Sequence, residues 1–161
     1  MDKTKRIYWD SCIFIALIAD EKRNPGETSG ISDVVQEVDA NKITLVTSVI
    51  SRVEVLRDLG IDRDKYINVL KRPNIQETEV NKTIAQMAGD IRHQFQVAGI
   101  CKLTTPDAIH LATAIYAEVD EFHTFDGEGR QPGLIDLSGH EIIKGLKITK
   151  PRSKHPYLPE F

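Results

Sequence analysis

The stretch Arg6-Ile7-Tyr8-Trp9-Asp10-Ser11-Cys12-Ile13-Phe14-Ile15-Ala16-Leu17-Ile18-Ala19 decides the fold class of this chain. Its first four residues are a short β-favouring run that stops at Asp10 and passes directly into Cys12–Ala19, which reads as a helix. A strand feeding straight into a helix is the opening unit of a parallel α/β sheet, and here an acid stands at the join. Asn24-Pro25-Gly26 then reads as a loop.

Working outward, Ile31, Val34, Val35 and Val38 keep helical spacing and predict an amphipathic helix from about Ser32 to Asn41. Ile43–Thr47 is β-branched and reads as a second buried strand. Ser48 suits the cap of a helix from Val49 to about Leu59, ended by Gly60. Tyr66–Leu70 predicts a short helix stopped by Pro73, and Ile75–Val80 a strand. From Asn81, the residues Ile84, Met87, Ala88, Ile91, Phe95 and Ala98 form one helical stripe that Gly99 closes. Thr105-Pro106 has the form of an N-cap followed by a first-position proline. The helix it opens is apolar on nearly every side through Tyr116, so burial is expected. Glu121–Phe125 reads as a strand ending at Asp126, and a last strand is expected near Leu146–Ile148. Strands alternating with helices give an α/β fold around a mostly parallel central sheet.

The chain has 161 residues, enough for one domain that buries roughly 70% of its unfolded surface without a metal or disulfide staple. Two distant cysteines, Cys12 and Cys101, do not make a secreted disulfide scaffold. The apolar run Ile13–Ala19 is too short to span a bilayer and is poorly shaped as a signal peptide, so a soluble, cytoplasmic protein without membrane contact is expected. The net charge of −3 divides into −7 over residues 1–143 and +4 over 144–161. This predicts an acidic domain over 1–148 and a basic, extended, Pro-rich tail over 149–161. The tail's cations could hold RNA phosphates or form a plain solvated end.

In open parallel sheets, sites form beyond the carboxyl ends of the strands. Four acids are expected there: Asp10 after the first strand, Glu54 in the second turn of the helix after the second, Asp107 in the first turn after Thr105-Pro106, and Asp126 after Phe125. Each has a plainer reading when taken alone. Asp107 would complement a helix dipole for about 0.3–1 kcal/mol, Asp126 before Gly127 would be a turn residue, and Glu54 a solvated helix residue. Together they point to a site. Two carboxylates about 4 Å apart repel by roughly 4 kcal/mol at an effective dielectric near 20, so four would protonate or splay unless a cation joined them. No Lys or Arg lies within two positions of Asp10, Asp107 or Asp126, and Arg52 and Arg57 are the nearest to Glu54. A hard divalent ion, Mg²⁺ or Mn²⁺, answers that need. Held by acids, it can position a phosphodiester and activate water.

These segments resemble the motifs of PIN domains and, within that family, of VapC-type toxin ribonucleases. Tyr8–Ile13 resembles the opening motif, Thr47–Val55 the second with its glutamate, Leu103–Ala114 the third, and Phe122-His123-Thr124-Phe125-Asp126 the fourth. The resemblance spans about residues 6–130. It implies an α/β/α sandwich with a five-stranded parallel sheet and a Mg²⁺- or Mn²⁺-dependent endoribonuclease. Asp10, Glu54, Asp107 and Asp126 would be catalytic, with Asp10, Asp107 and Asp126 as metal ligands. Ser11 and Thr124 would orient carboxylates or metal-bound waters. RNA would be the substrate, a small antitoxin protein the partner, and a homodimer possible. Family members often carry a further acid after the fourth, and here only Glu128 is available.

Other classes compete. A catalytically silent relative would bind RNA or protein as an adaptor, although such a protein has no need of mutually repelling acids. A phosphatase with Asp10 as nucleophile wants an acid two residues on, where Cys12 stands. His110 shares a helix stripe with Asp107 and reads as a packed or rim histidine. His93 and His123 lack partners at zinc spacing. Cys12 reads as a core thiol, and Asp90 as solvated.

Overall fold

The computed structural model describes residues 3–58, 60–127 and 129–153. Glu128, Leu59 and the tail from Lys154 onward, with Pro156, Pro159 and Glu160, lie outside the described residues.

Five strands form one all-parallel sheet: β1 (Lys5–Trp9), β2 (Ile43–Ser48), β3 (Ile75–Thr78), β4 (Glu121–His123) and β5 (Ile148–Thr149), in the order β3-β2-β1-β4-β5. Six helices cover it: α1 (Ser11–Ile18), α2 (Pro25–Asp39), α3 (Ile50–Leu56), α4 (Arg63–Leu70), α5 (Lys82–Val97) and α6 (Thr105–Tyr116). Two 3₁₀ turns, Leu134–Leu137 and Glu141–Ile143, lead into β5.

The period-2 alternation of the central strands sorts their side chains to two cores. Ile7 and Trp9 of β1, with Ile43 and Leu45 of β2, join Ile13, Phe14, Val34 and Tyr66 on one face. Tyr8 and Val46 join Ile84, Phe95, Leu111 and Leu137 on the other. The result is the expected three-layer sandwich. Trp9, Tyr8, Phe14 and Tyr66 are fully buried, and side chains of this size contribute about 1.5–3 kcal/mol each by leaving water.

Several boundaries move from the sequence reading, each for a local reason. α2 begins at Pro25 rather than Ser32, so Asn24-Pro25 opens a helix instead of a loop. Proline at the first position gives up an N–H that no helical bond needs. α6 is capped by Thr104, one residue early: its Oγ1 accepts from the Asp107 backbone N–H at 3.2 Å, and Pro106 takes the second position. Ser48 stays in β2 and accepts the Ile50 N–H at 3.2 Å, so α3 starts at Ile50. β4 stops at His123 because Thr124 and Asp126 are already turning, and β5 lies slightly later than expected.

The chain fills β1, β2 and β3 outward on one side and then returns to place β4 on the other side of β1. That puts the topological switch point, where open α/β sheets bind ligands, between the carboxyl ends of β1 and β4.

Candidate active site

Asp10 follows β1 at this switch point and is buried, at 6% exposure. It caps α1: Oδ1 accepts the Cys12 N–H at 2.9 Å and lies 3.3 Å from the Ser11 hydroxyl. Its other oxygen, Oδ2, accepts from the Thr124 hydroxyl at 2.8 Å. The same Thr124 oxygen accepts the Asp126 backbone N–H at 3.0 Å. One buried hydroxyl therefore ties the ends of β1 and β4 together and fixes the turn that carries Asp126. Asp126 itself is exposed, and its Oδ2 accepts the Leu134 N–H at 3.1 Å. A cavity of about 200 Å³ opens beside it, lined by Asp107, Asp126, Lys102, Leu103 and Leu134.

Asp107 projects from the first turn of α6. Burial pushes its carboxyl up to about 6; a hydrogen bond from Thr104 works against this, and the charges of Asp10 and Asp126 add to it. Asp107 thus feels the negative charge of both Asp10 and Asp126. Among the described residues, none of the three is in an ion pair with Lys or Arg.

Glu54 stands apart from this trio. Its side chain is 22% exposed, and Oε1 lies 2.5 Å from His110 Nε2. Burial works to raise its carboxyl, but His110, Ser11 and the Arg57 charge outweigh it and hold the group below the usual carboxylate range. Ser11 links the two parts by lying beside both Asp10 and Glu54. Arg52, the other cation flanking Glu54 in sequence, turns away and forms a forked pair with Glu77 at 2.6 and 2.8 Å.

The donor chemistry of the trio suits a hard divalent cation: oxygen only, anionic, and without a competing cation. Its spacing is more open than a finished ligand set. Among the described residues, no group of three His, Cys, Asp or Glu side chains is arranged to hold a metal ion.

The polar residues around the site find plain roles. His110 is packed, at 1% exposure, but it is also a hydrogen-bonding link: Nδ1 lies 2.5 Å from the Tyr8 hydroxyl and Nε2 meets Glu54. Neither His110 nor Tyr8 stood out in the sequence as a site residue. The signal was a histidine on a helix expected to be buried all round, since both of its ring nitrogens then need partners. Cys12 lies against Thr124 and Phe125, and burial pushes its thiol up, which leaves it unreactive. His123 bonds Glu121 at 2.9 Å, and Asp90 is exposed and accepts from Gln86. At the start of the basic tail, Lys147 pairs with Glu121 and Lys150 with Glu27, both at 3.2 Å, so these two cations serve the fold.

Among the described residues, no helix is long and apolar enough to cross a membrane. A search of curated protein sequences gave no match. Solved structures resemble this one at low identity, which speaks for the fold alone. VapBC2 from Rickettsia felis, bound to a DNA fragment from its promoter, aligns with a TM-score of 0.64 at 13% identity, covering 89% of this chain and 97% of that one. A toxin-antitoxin complex from Klebsiella pneumoniae gives 0.58 at 18% identity, with 90% and 97% covered. FitAcB from Neisseria gonorrhoeae gives 0.58 at 15%, with the same coverage. The sequence model of the PIN domain matches residues 7–132, which span β1 through the turn after Asp126 and include all four acids, and the chain therefore belongs to the PIN domain family.

Proposed function

We propose that this protein is a metal-dependent endoribonuclease acting in the cytoplasm, the toxin of a toxin-antitoxin pair. What supports the reading is membership of the PIN domain family, together with an Asp107 carboxyl raised to about 6 by burial and by the charges of Asp10 and Asp126, none of the three paired with Lys or Arg among the described residues.

Asp10, Asp107 and Asp126 would hold Mg²⁺ or Mn²⁺, which when bound supplies charge neutralisation at a phosphodiester and an activated water. The rest is the work of the chain itself. Thr124 fixes Asp10 and the Asp126 turn in one register, and Ser11 orients Asp10 towards Glu54. Glu54, held ionised at the edge of the site, is the group placed to accept a proton or orient water there. The antitoxin partner is supported by the solved structures that share this fold, one of which is the toxin-antitoxin complex from Klebsiella pneumoniae. A homodimer belongs to the same reading.

The competing reading is a catalytically silent PIN domain that binds RNA or protein as an adaptor. Incubating the purified protein with RNA in Mg²⁺, Mn²⁺ or EDTA separates the two. Cleavage with metal that stops with EDTA and in Asp107→Asn supports the nuclease. Cleavage that survives EDTA removes the metal, and RNA binding without cleavage selects the adaptor.

A further inference from the structure

The buried line Tyr8–His110–Glu54 is not accounted for by the acidic trio. Tyr8 is in β1, His110 in α6 and Glu54 in α3, so three separate elements meet at one imidazole. Tyr8 is fully buried and His110 is 1% exposed. Packing fixes both rings: Tyr8 stacks on Phe122 at 4.9 Å between centroids and meets His110 edge-on at 5.8 Å. The hydroxyl lies 2.5 Å from Nδ1, and Nε2 lies 2.5 Å from Glu54 Oε1.

A phenol is protonated at neutral pH and has one proton to donate. The Ser48 backbone and the Thr47 side chain also lie by the Tyr8 oxygen, and a phenol that donates to Nδ1 satisfies the ring nitrogen it faces. An imidazole that accepts at Nδ1 carries its own proton at Nε2, and there it meets the Glu54 carboxylate. The order of donors that satisfies every member of the line is Tyr8 O–H to Nδ1 and Nε2–H to Oε1.

We propose that His110 is a positioning residue for the Glu54 carboxylate, locked by Tyr8 in the Nε2–H tautomer so that, together with Ser11, it holds the carboxylate in one orientation for the reaction. This rests on the nuclease reading for its catalytic consequence, but not for its geometry. It gives Glu54 a role distinct from the trio: a carboxylate clamped by an imidazole N–H is held in one orientation, which a solvated glutamate on a short helix would not keep. The coupling crosses from α3 to β1, so the opening strand sets not only Asp10 but also, through α6, the fourth acid.

Two measurements on the full chain test this. Long-range ¹H–¹⁵N spectra of the ¹⁵N-labelled protein at pH 7, with the His110 ring assigned by its loss in His110→Gln, report the tautomer without any RNA. The Nε2–H pattern is expected; an Nδ1–H or doubly protonated ring overturns the proposal, whether or not the protein cuts RNA. In the cleavage assay, His110→Ala should lower kcat by about 10–100-fold, the range for outer partners of site residues, with KM for RNA little changed. His110→Gln, which can present an amide N–H to Glu54, should recover most of that loss. In a Glu54→Gln background, His110→Ala should cost little more. Equal losses for the Ala and Gln variants, or a full His110→Ala loss in the Glu54→Gln background, mean that His110 only packs, and they overturn the positioning role. A wild-type protein that cuts no RNA overturns the nuclease reading and the catalytic half of this proposal, while the spectra still decide the clamp.

Discussion

The Thr124 hydroxyl donates to Asp10 Oδ2 at 2.8 Å while accepting the Asp126 backbone N–H at 3.0 Å, so one buried side chain sets two acids that are 116 residues apart in sequence. Thr124→Val keeps the shape but strands both partners. Leaving a buried donor or acceptor unmade costs about 1–3 kcal/mol, so urea unfolding should show a loss in that range, and RNA cleavage should fall with it. Thr124→Ser should restore most of both. A valine variant of wild-type stability and activity removes Thr124 from the site.

Asp107 gives a pH dependence with an unusual sign for an acid. Its folded pKa of about 6 lies above the ordinary value of 3.8, so the folded state holds the proton more tightly. The favourable contribution is complete below about pH 4 and is lost as pH rises through 6. Asp107→Asn should therefore be more stable than wild type near pH 7.5 in EDTA. Because the group is partly open to solvent, the gain should be roughly 1 kcal/mol, not the full value of the shift. The two proteins should converge below pH 4. A gap that is constant across this range means that the carboxyl is not raised.

The acids were readable in advance because each sits at a local signal: a strand that breaks into a helix at Asp10, a Thr-Pro helix start before Asp107, and a strand end at Asp126. The parallel sheet follows from the alternation of strands and helices, whereas its order, with β4 on the far side of β1, does not. What stayed hidden depends on pairings between distant segments. Nothing near Glu54 in sequence announces that its partner is His110 and not Arg52, since Arg52 is drawn off by Glu77 on β3. The early start of α2 at Pro25 is a milder case. Its Glu27 is paired with Lys150, beyond β5, and Gly30 lies so close under Pro151 that a Cβ there would stand 2.5 Å from the Pro151 backbone.

Divalent ions should stabilise the folded protein, because a ligand that binds only the native state adds about 2.7 kcal/mol at one hundred times its Kd. Titrating Mn²⁺ or Mg²⁺ into metal-free protein should raise Tm progressively. Asp10→Asn and Asp126→Asn should blunt that rise. A wild-type Tm unmoved by millimolar metal counts against the cation reading of the trio.

Glu121 shows the opposite pH sign at the far end of the sheet. His123 donates to it at 2.9 Å, and Lys5 and Lys147 each reach it at 3.2 Å. The His123 hydrogen bond, then opposed by burial and helped by the two lysines, holds the carboxyl well below the usual range. A depressed acid contributes stability above its unfolded pKa of about 4.5 and loses it as pH falls. Glu121→Gln should cost roughly 1 kcal/mol at pH 7, discounted because both lysines are largely exposed, and the gap should close in acid. Cleavage at pH 7 should be unchanged, since Glu121 lies away from the trio. A penalty that does not shrink at all as pH falls below about 4.5 points to packing and not charge.

Gly133 is required by space and not by backbone conformation. Its φ of −144° is an extended geometry open to any residue. A Cβ there would lie 2.5 Å from Asp126 Oδ1 and 2.6 Å from the Asp126 backbone carbon, and backbone cannot give way cheaply. Gly133→Ala must push the Asp126 turn outward, away from Thr124 and from the Leu134 N–H that Asp126 accepts. Overpacking of this kind costs about 1–3 kcal/mol, and a displacement near 1 Å at a reacting group can cost on the order of 100-fold in rate. Cleavage should therefore fall further than the change in Tm alone would explain. The matched control is Gly129→Ala, where a Cβ meets nothing within 4 Å and activity should hold. If both variants cut RNA like wild type, the position of Asp126 does not limit the reaction.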